Sequence, residues 1–169
     1  MPDNVITKNK RSAFATFMNT ATGSTETWKR FGKGVTSQTV SYNPTSNSEQ
    51  YIDEDSATTT VDSYAPTMDG AMTTYKGEPI FEFVDKLRRG RAVGSAAETD
   101  ILMVYMYAPG TGSNTYEAEK QHVCIQVDDF GGEAGGSLPL NFTVNFMGDA
   151  TPGTVTITDG VPNFTAASK

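Results

Sequence analysis

Three stretches of this chain alternate apolar and polar residues with a period of two, and that rhythm restricts the fold more than any other feature. Val123, Ile125 and Val127 alternate with Cys124, Gln126 and Asp128. Leu140, Phe142, Val144 and Phe146 alternate with Asn141, Thr143, Asn145 and Met147, and Val155 and Ile157 with Thr154, Thr156 and Thr158. Side chains of a strand project to opposite faces in turn, so each stretch reads as a strand with one buried and one wet face. Residues 101–107 (ILMVYMY) are apolar in both parities, the mark of a central strand covered on both sides. Further β structure is expected at 12–20, in a long element over 27–42 bent at Gly32 and Gly34, and at 57–65 and 71–75 around Pro66 and the turn pair Asp69-Gly70.

One helix is expected, over 78–89. Pro79 suits a first helical position, Ile80, Phe81, Val84 and Leu87 make an apolar stripe, and Gly90 is placed to take a left-handed cap. Glu78 and Glu82 at its start and Lys86, Arg88 and Arg89 at its end complement the helix dipole. Residues 43–56 (NPTSNSEQYIDEDS) offer little to bury besides Tyr51 and Ile52 and read as a polar projecting loop or hairpin. Residues 160–169 read as a flexible polar tail. The fold class is therefore mainly β, with one helix beside the sheet and one long projection, and a length of 169 residues suits a single domain over 1–169.

Charge and cysteine use narrow the function. Lys and Arg number 13 against 20 Asp and Glu, a net charge of -7, so the surface as a whole repels nucleic acid phosphate. Cys124 is the single cysteine, which excludes an intrachain disulfide and suits a reducing compartment. No apolar run approaches the roughly 20 residues of a bilayer crossing, and no apolar segment follows Lys8 and Lys10 as in a secretory leader. A soluble, cytoplasmic origin without a membrane partner is expected.

Apparent catalytic motifs dissolve on inspection. His122 and Cys124 share a strand face, but no second Cys or His exists to complete a zinc site. Asp129-Phe130-Gly131 spells a kinase triplet without the glycine loop, lysine or catalytic-loop aspartate that phosphoryl transfer needs. Asp53, Glu54 and Asp55 resemble the start of a calcium loop, yet Thr58 stands at the glycine position and Tyr64 at that of the last carboxylate. Gly32-Lys33-Gly34 lacks the rest of a dinucleotide loop. The glycosylation triplets at Asn141 and Asn163 carry no weight without a secretory route. No catalytic residue, metal or cofactor is assigned. The chain reads as built for association rather than turnover.

Five segments together resemble one family. They are Trp28-Lys29-Arg30-Phe31-Gly32-Lys33-Gly34, Val40-Ser41-Tyr42-Asn43-Pro44, Glu49-Gln50-Tyr51-Ile52, Pro79-Ile80-Phe81-Glu82-Phe83-Val84-Asp85 and Val127-Asp128-Asp129-Phe130-Gly131-Gly132. In number and order, over about 11–153, they are similar to the major tail, or tail tube, proteins of long-tailed bacteriophages and related prophages of Gram-positive bacteria. The resemblance implies a β-sandwich or barrel-like domain with one flanking helix, rings of six copies, and stacking of rings into a tube whose lumen conducts genome DNA during ejection without binding it specifically. It implies as partners the chain itself and the tape measure, tail terminator and tail tip proteins, in a virion tail assembled in the host cytoplasm.

Acidic subunits repel one another, so the basic residues Lys29, Arg30, Lys33, Arg88, Arg89 and Arg91 are expected at contacts, facing Asp53, Glu54 and Asp55 of a neighbour. Tyr51 and Ile52 on the projecting arm are expected beside them. The alternatives are the tube of a contractile phage tail, tailocin or secretion system, and a small β-sandwich binding module using Trp28, Tyr51 and Tyr116.

Overall fold

The doubly apolar stretch forms the middle of β8 (Glu98–Pro109), and its two parities fill two different cores. The computed structural model describes residues 5–168. Ile101 and Met103 point into a first core with Met18, Met68, Ile80, Val84, Val123, Leu140 and Val144. Leu102 and Val104 point into a second with Ala15, Phe17, Trp28, Ala118 and Val155.

The remaining strands in chain order are β1 (Phe14–Asn19), β2 (Trp28–Arg30), β3 (Val40–Ser41), β4 (Pro44–Glu49), β5 (Thr58–Tyr64), β6 (Thr67–Asp69), β7 (Met72–Thr73), β9 (Thr115–Phe130), β10 (Pro139–Phe146), β11 (Thr151–Thr158) and β12 (Val161–Ala166). All pairings between them are antiparallel. The main sheet runs β2-β1-β8-β9-β10-β6-β3, with β7 also on β10 and with β11 and β12 branching from β9.

β9 is the branch point. One flank pairs with β8 from Glu117 to Cys124; the other pairs with β11 over 115–120 and with β10 from Val123 onward. Where it changes partners, the buried Gln121 Nε2 donates to Met147 O at 2.8 Å, His122 O at 3.0 Å and Gly148 O at 3.3 Å, satisfying the turn between β10 and β11. On the β11 side the sheet curls until β12 reaches β2, a barrel-like wall around the second core.

The helix α1 (Pro79–Gly90) covers the first core. Glu78 is its N-cap, accepting from Phe81 N at 2.6 Å, and Pro79 follows as expected. Two expectations for it change. The left-handed cap is Arg91, at φ 45°, because the helix runs through Gly90 before Arg91 N and Ala92 N close onto Arg88 O and Leu87 O. The stripe is also uneven, since Ile80 and Val84 are 0% exposed while Phe81 and Leu87 are only partly buried.

Three segments depart further from the sequence reading. The long bent element over 27–42 is two short strands, β2 and β3, with 31–39 irregular between them. At Gly34 (φ +85°) a Cβ would lie 2.1 Å from Thr73 O, so the chain turns there against β7 instead of continuing as a strand. The projection expected at 43–56 extends through Tyr64, because the threonine-rich 57–65 stretch is its return strand and, among the described residues, pairs only with β4. Residues 160–169, expected as a tail, carry β12. Asp159 and Gly160 both have positive φ, making a two-residue hairpin turn, and Pro162 is buried while Phe164 packs on the second core.

Candidate assembly surfaces and a polar sheet face

The β4–β5 hairpin stands off the main sheet with every residue of both strands exposed. A two-stranded ribbon with no buried face is marginal on its own in water. Its root is fixed by Asn43, at φ 45°, whose Nδ2 donates to Ala65 O at 3.0 Å, and by the edge-on rings of Tyr42 and Tyr64. Its tip holds five of the expected contact residues: Tyr51, Ile52, Asp53, Glu54 and Asp55. Ile52 is fully exposed; Glu54 N closes a turn onto Tyr51 O at 3.0 Å, and Tyr51 donates its hydroxyl to Glu49 Oε2 at 3.0 Å.

The six basic residues fall into two groups. Lys29 and Arg30 lie exposed on β2, and Lys33 sits over the Tyr75 ring at 4.6 Å in the cleft that Arg30 also lines. Arg88, Arg89 and Arg91 end the helix. Arg88 Nη2 meets Asp85 Oδ1 at 2.6 Å, Arg89 Nε meets Asp85 Oδ2 at 2.8 Å, and the Arg88 guanidinium lies 3.9 Å over the Phe130 ring. One buried carboxylate thus engages two of these arginines, a pairing that the i, i+3 and i, i+4 spacing from Asp85 announces. The structure brings none of the basic residues to Asp53, Glu54 or Asp55 of the same chain among its ion pairs.

Sequence reasoning did not single out the polar face of the β8–β9–β10–β6 sheet, on the side away from α1. Cross-strand partners place Glu98, Cys124, Asn145 and Thr67 in one row and Gln126, Thr143 and Asp69 in the next. Asp128 joins them, its Oδ2 accepting from Thr143 Oγ1 at 2.7 Å and its Oδ1 from Gln126 Nε2 at 2.7 Å. At the upper end His122 lies between two carboxylates, with Nδ1 2.7 Å from Asp100 Oδ1 and Nε2 3.0 Å from Glu98 Oε2. Those two hydrogen bonds, Glu98 first, raise the imidazole above its ordinary value and favour the charged ring. Lys120 beside it is held by Glu26 and lies 3.8 Å from Asp100. Both cations on this face are therefore engaged, while Asp69 and Asp128 have no cationic partner among the described residues. The signal for this face was present in the sequence as the polar parity of the alternating strands.

His122 and Cys124, the pair tested for metal binding, stand on this face with His122 committed to carboxylates; no group of three or more metal-ligating side chains occurs among the described residues. No helix there is long and apolar enough to cross a membrane.

No family model matches the chain, and no curated protein matches its sequence. Among solved structures it is similar to a chain from the tail of an empty GTA particle, reconstructed by helical refinement with C6 symmetry. The TM-score is 0.60 at 11% identity, over 85% of this chain and 98% of that one. Nearly the whole of that subunit is thus matched, and the fold of this chain, a large antiparallel sheet with one helix, is shared with a tail component.

Proposed function

We propose that the chain is a structural, non-enzymatic subunit of a phage-like tail tube, forming rings of six that stack into a tube around a DNA channel. The observation that carries this reading is the fold shared with a subunit of a C6-symmetric tail. Two surfaces support it. The fully exposed β4–β5 hairpin has no partner strand beyond itself among the described residues and suits a contact with another copy. The acid-bearing sheet face is what a DNA conduit needs, because uncompensated carboxylates such as Asp69 and Asp128 keep phosphate from adhering. Lys29, Arg30 and Lys33 meet Asp53, Glu54 and Asp55 of a neighbouring copy, with Tyr51 and Ile52 beside them; Arg88, Arg89 and Arg91 form a second basic patch at the helix end. Tape measure, terminator and tip proteins complete the tail, and assembly precedes release from the host cell.

Negative-stain electron microscopy of concentrated protein tests the reading: rings or tubes of uniform width are expected, and dispersed monomers at every concentration and salt refute it.

A further inference from the structure

β8 pairs with β9 only as far as Cys124, whereas β9 continues to Phe130 with β10 on its other side. From Gln126 to Phe130, therefore, one flank of β9 has no strand beside it among the described residues. That flank walls a groove of about 680 Å³ whose opposite wall is the end of α1 and the turn after it, Leu87 to Val93. An unpaired sheet flank beside a partly apolar groove accepts an added strand, main chain to main chain, with side chains alternating between the groove and the far face. The far face is acidic here, and its carboxylates Asp128 and Asp129 also line the groove. Asp128 is held by Gln126 and Thr143, and Asp129 Oδ1 accepts from Asn141 Nδ2 at 2.6 Å, so both carboxylates are positioned by neutral donors that leave their charge uncompensated.

The same chain carries a segment of the matching kind. Residues 5–10 (VITKNK) belong to no helix or strand, all six are exposed, and Ile6 is 97% exposed. Alternation places Val5, Thr7 and Asn9 on one side and Ile6, Lys8 and Lys10 on the other. Neither lysine meets a carboxylate among the described ion pairs.

Reach decides between a self-contact and a neighbour. Phe14 is level with Tyr105, and Tyr105 with Glu117, so the segment enters the sheet at the end opposite the groove. From Glu117 to Asp128 β9 advances eleven residues (128 minus 117), about 36 Å, while the six residues from Lys8 to Phe14 extend at most about 20 Å. The segment cannot place its lysines in its own groove.

We infer that residues 5–10 of one copy add as a strand to the 126–130 flank of β9 in the next copy, Lys8 and Lys10 against Asp128 and Asp129 with Ile6 in line with them, Val5, Thr7 and Asn9 toward the helix wall. The inference rests on the reading of the chain as a self-assembling subunit and adds to it a head-to-tail contact. Segment and groove lie at opposite ends, so the contact is heterologous and propagates from copy to copy.

Charge-swapped full-length variants test it. Lys8→Glu/Lys10→Glu and Asp128→Lys/Asp129→Lys should each fold, by circular dichroism, yet need at least about tenfold more protein to form tubes in light scattering and electron microscopy. Mixed in equal amounts, the two should assemble again, since each supplies the segment that fits the other's groove. Carbodiimide cross-linking of assembled parent should join Lys8 or Lys10 to Asp128 or Asp129 between copies. Parent tubes with both variants assembling normally, or with no rescue on mixing and no such cross-link, overturn this contact and leave the tube reading standing. A parent that stays monomeric overturns both.

Discussion

Truncating Ile80 to alanine probes whether α1 is held by its buried pair or by the whole stripe. Ile80 is 0% exposed and packs in the core that also holds Val84, Ile101 and Val123. Deleting a fully buried isoleucine side chain costs the transfer energy of its methyl and methylene groups plus a cavity term, about 2–5 kcal/mol in all. At about 2–4 °C per kcal/mol for a chain of this size, the melting temperature should fall by about 4–20 °C. Phe81, one residue on, is larger but only partly buried, so Phe81→Ala forfeits part of its transfer energy and leaves a space water can enter, about 2 kcal/mol or less. The ordering is therefore the reverse of that expected from side-chain size. Thermal and urea melts of both variants by circular dichroism measure it, with equal urea m-values confirming that the same transition is compared. A Phe81→Ala loss equal to or greater than that of Ile80→Ala would refute the uneven seating of the helix.

Replacing 45–63 with a short Gly-Ser linker should leave the melting temperature within a few degrees, because neither hairpin strand has a buried residue, yet abolish tubes in micrographs. His122 should titrate above its ordinary value of 6.5 in a two-dimensional NMR series. Its stabilising contribution is fully present below 6.5 and is lost as the pH rises through the elevated folded value; Glu98→Gln should lower the midpoint. Gly153→Val should cost about 1–3 kcal/mol and deprotect β12 amides in hydrogen exchange, since a Cβ there would stand 2.3 Å from Thr165 O and 2.7 Å from the Phe164 ring; Gly23→Ala, with open space around it, should be silent.

What the sequence disclosed and what it withheld follow from how each residue is buried. The helix was legible because its signals are local: Glu78 and Pro79 at the start, apolar residues one turn apart, arginines at the end. β8 was legible because it is apolar in both parities, and the alternating halves of β9, β10 and β11 because burial there follows parity. The first half of β9 was hidden by Gln121, a polar residue on a core face, buried because the turn beside it supplies two carbonyls and the next residue of its own strand a third. β12 was hidden because Pro162 and Phe164 are too few to set a rhythm, although Asp159-Gly160 marks the hairpin turn. In the β4–β5 hairpin the return strand was legible from its threonine-rich 57–65 stretch, but with nothing buried no pattern showed that it pairs with 44–49 instead of the main sheet. The polar parity of the sheet was in the sequence, but which carboxylates of β6, β8 and β9 share that face emerged only from the register.

The continuity of β9 also has a mechanical meaning. Two cores that meet through a loop can tilt against each other; here they meet along one unbroken backbone whose flank passes from β11 to β10. Sliding the barrel-like wall past the helix-covered sheet would require breaking ladder bonds on both flanks of that strand at once, so shear is resisted by bonds loaded in parallel rather than in sequence. In a column of such subunits, bending would then be taken up at the contacts between copies, each subunit acting as a stiff plate. Amide protection along β9 should run without a gap through Gln121, where a hinge would have left one.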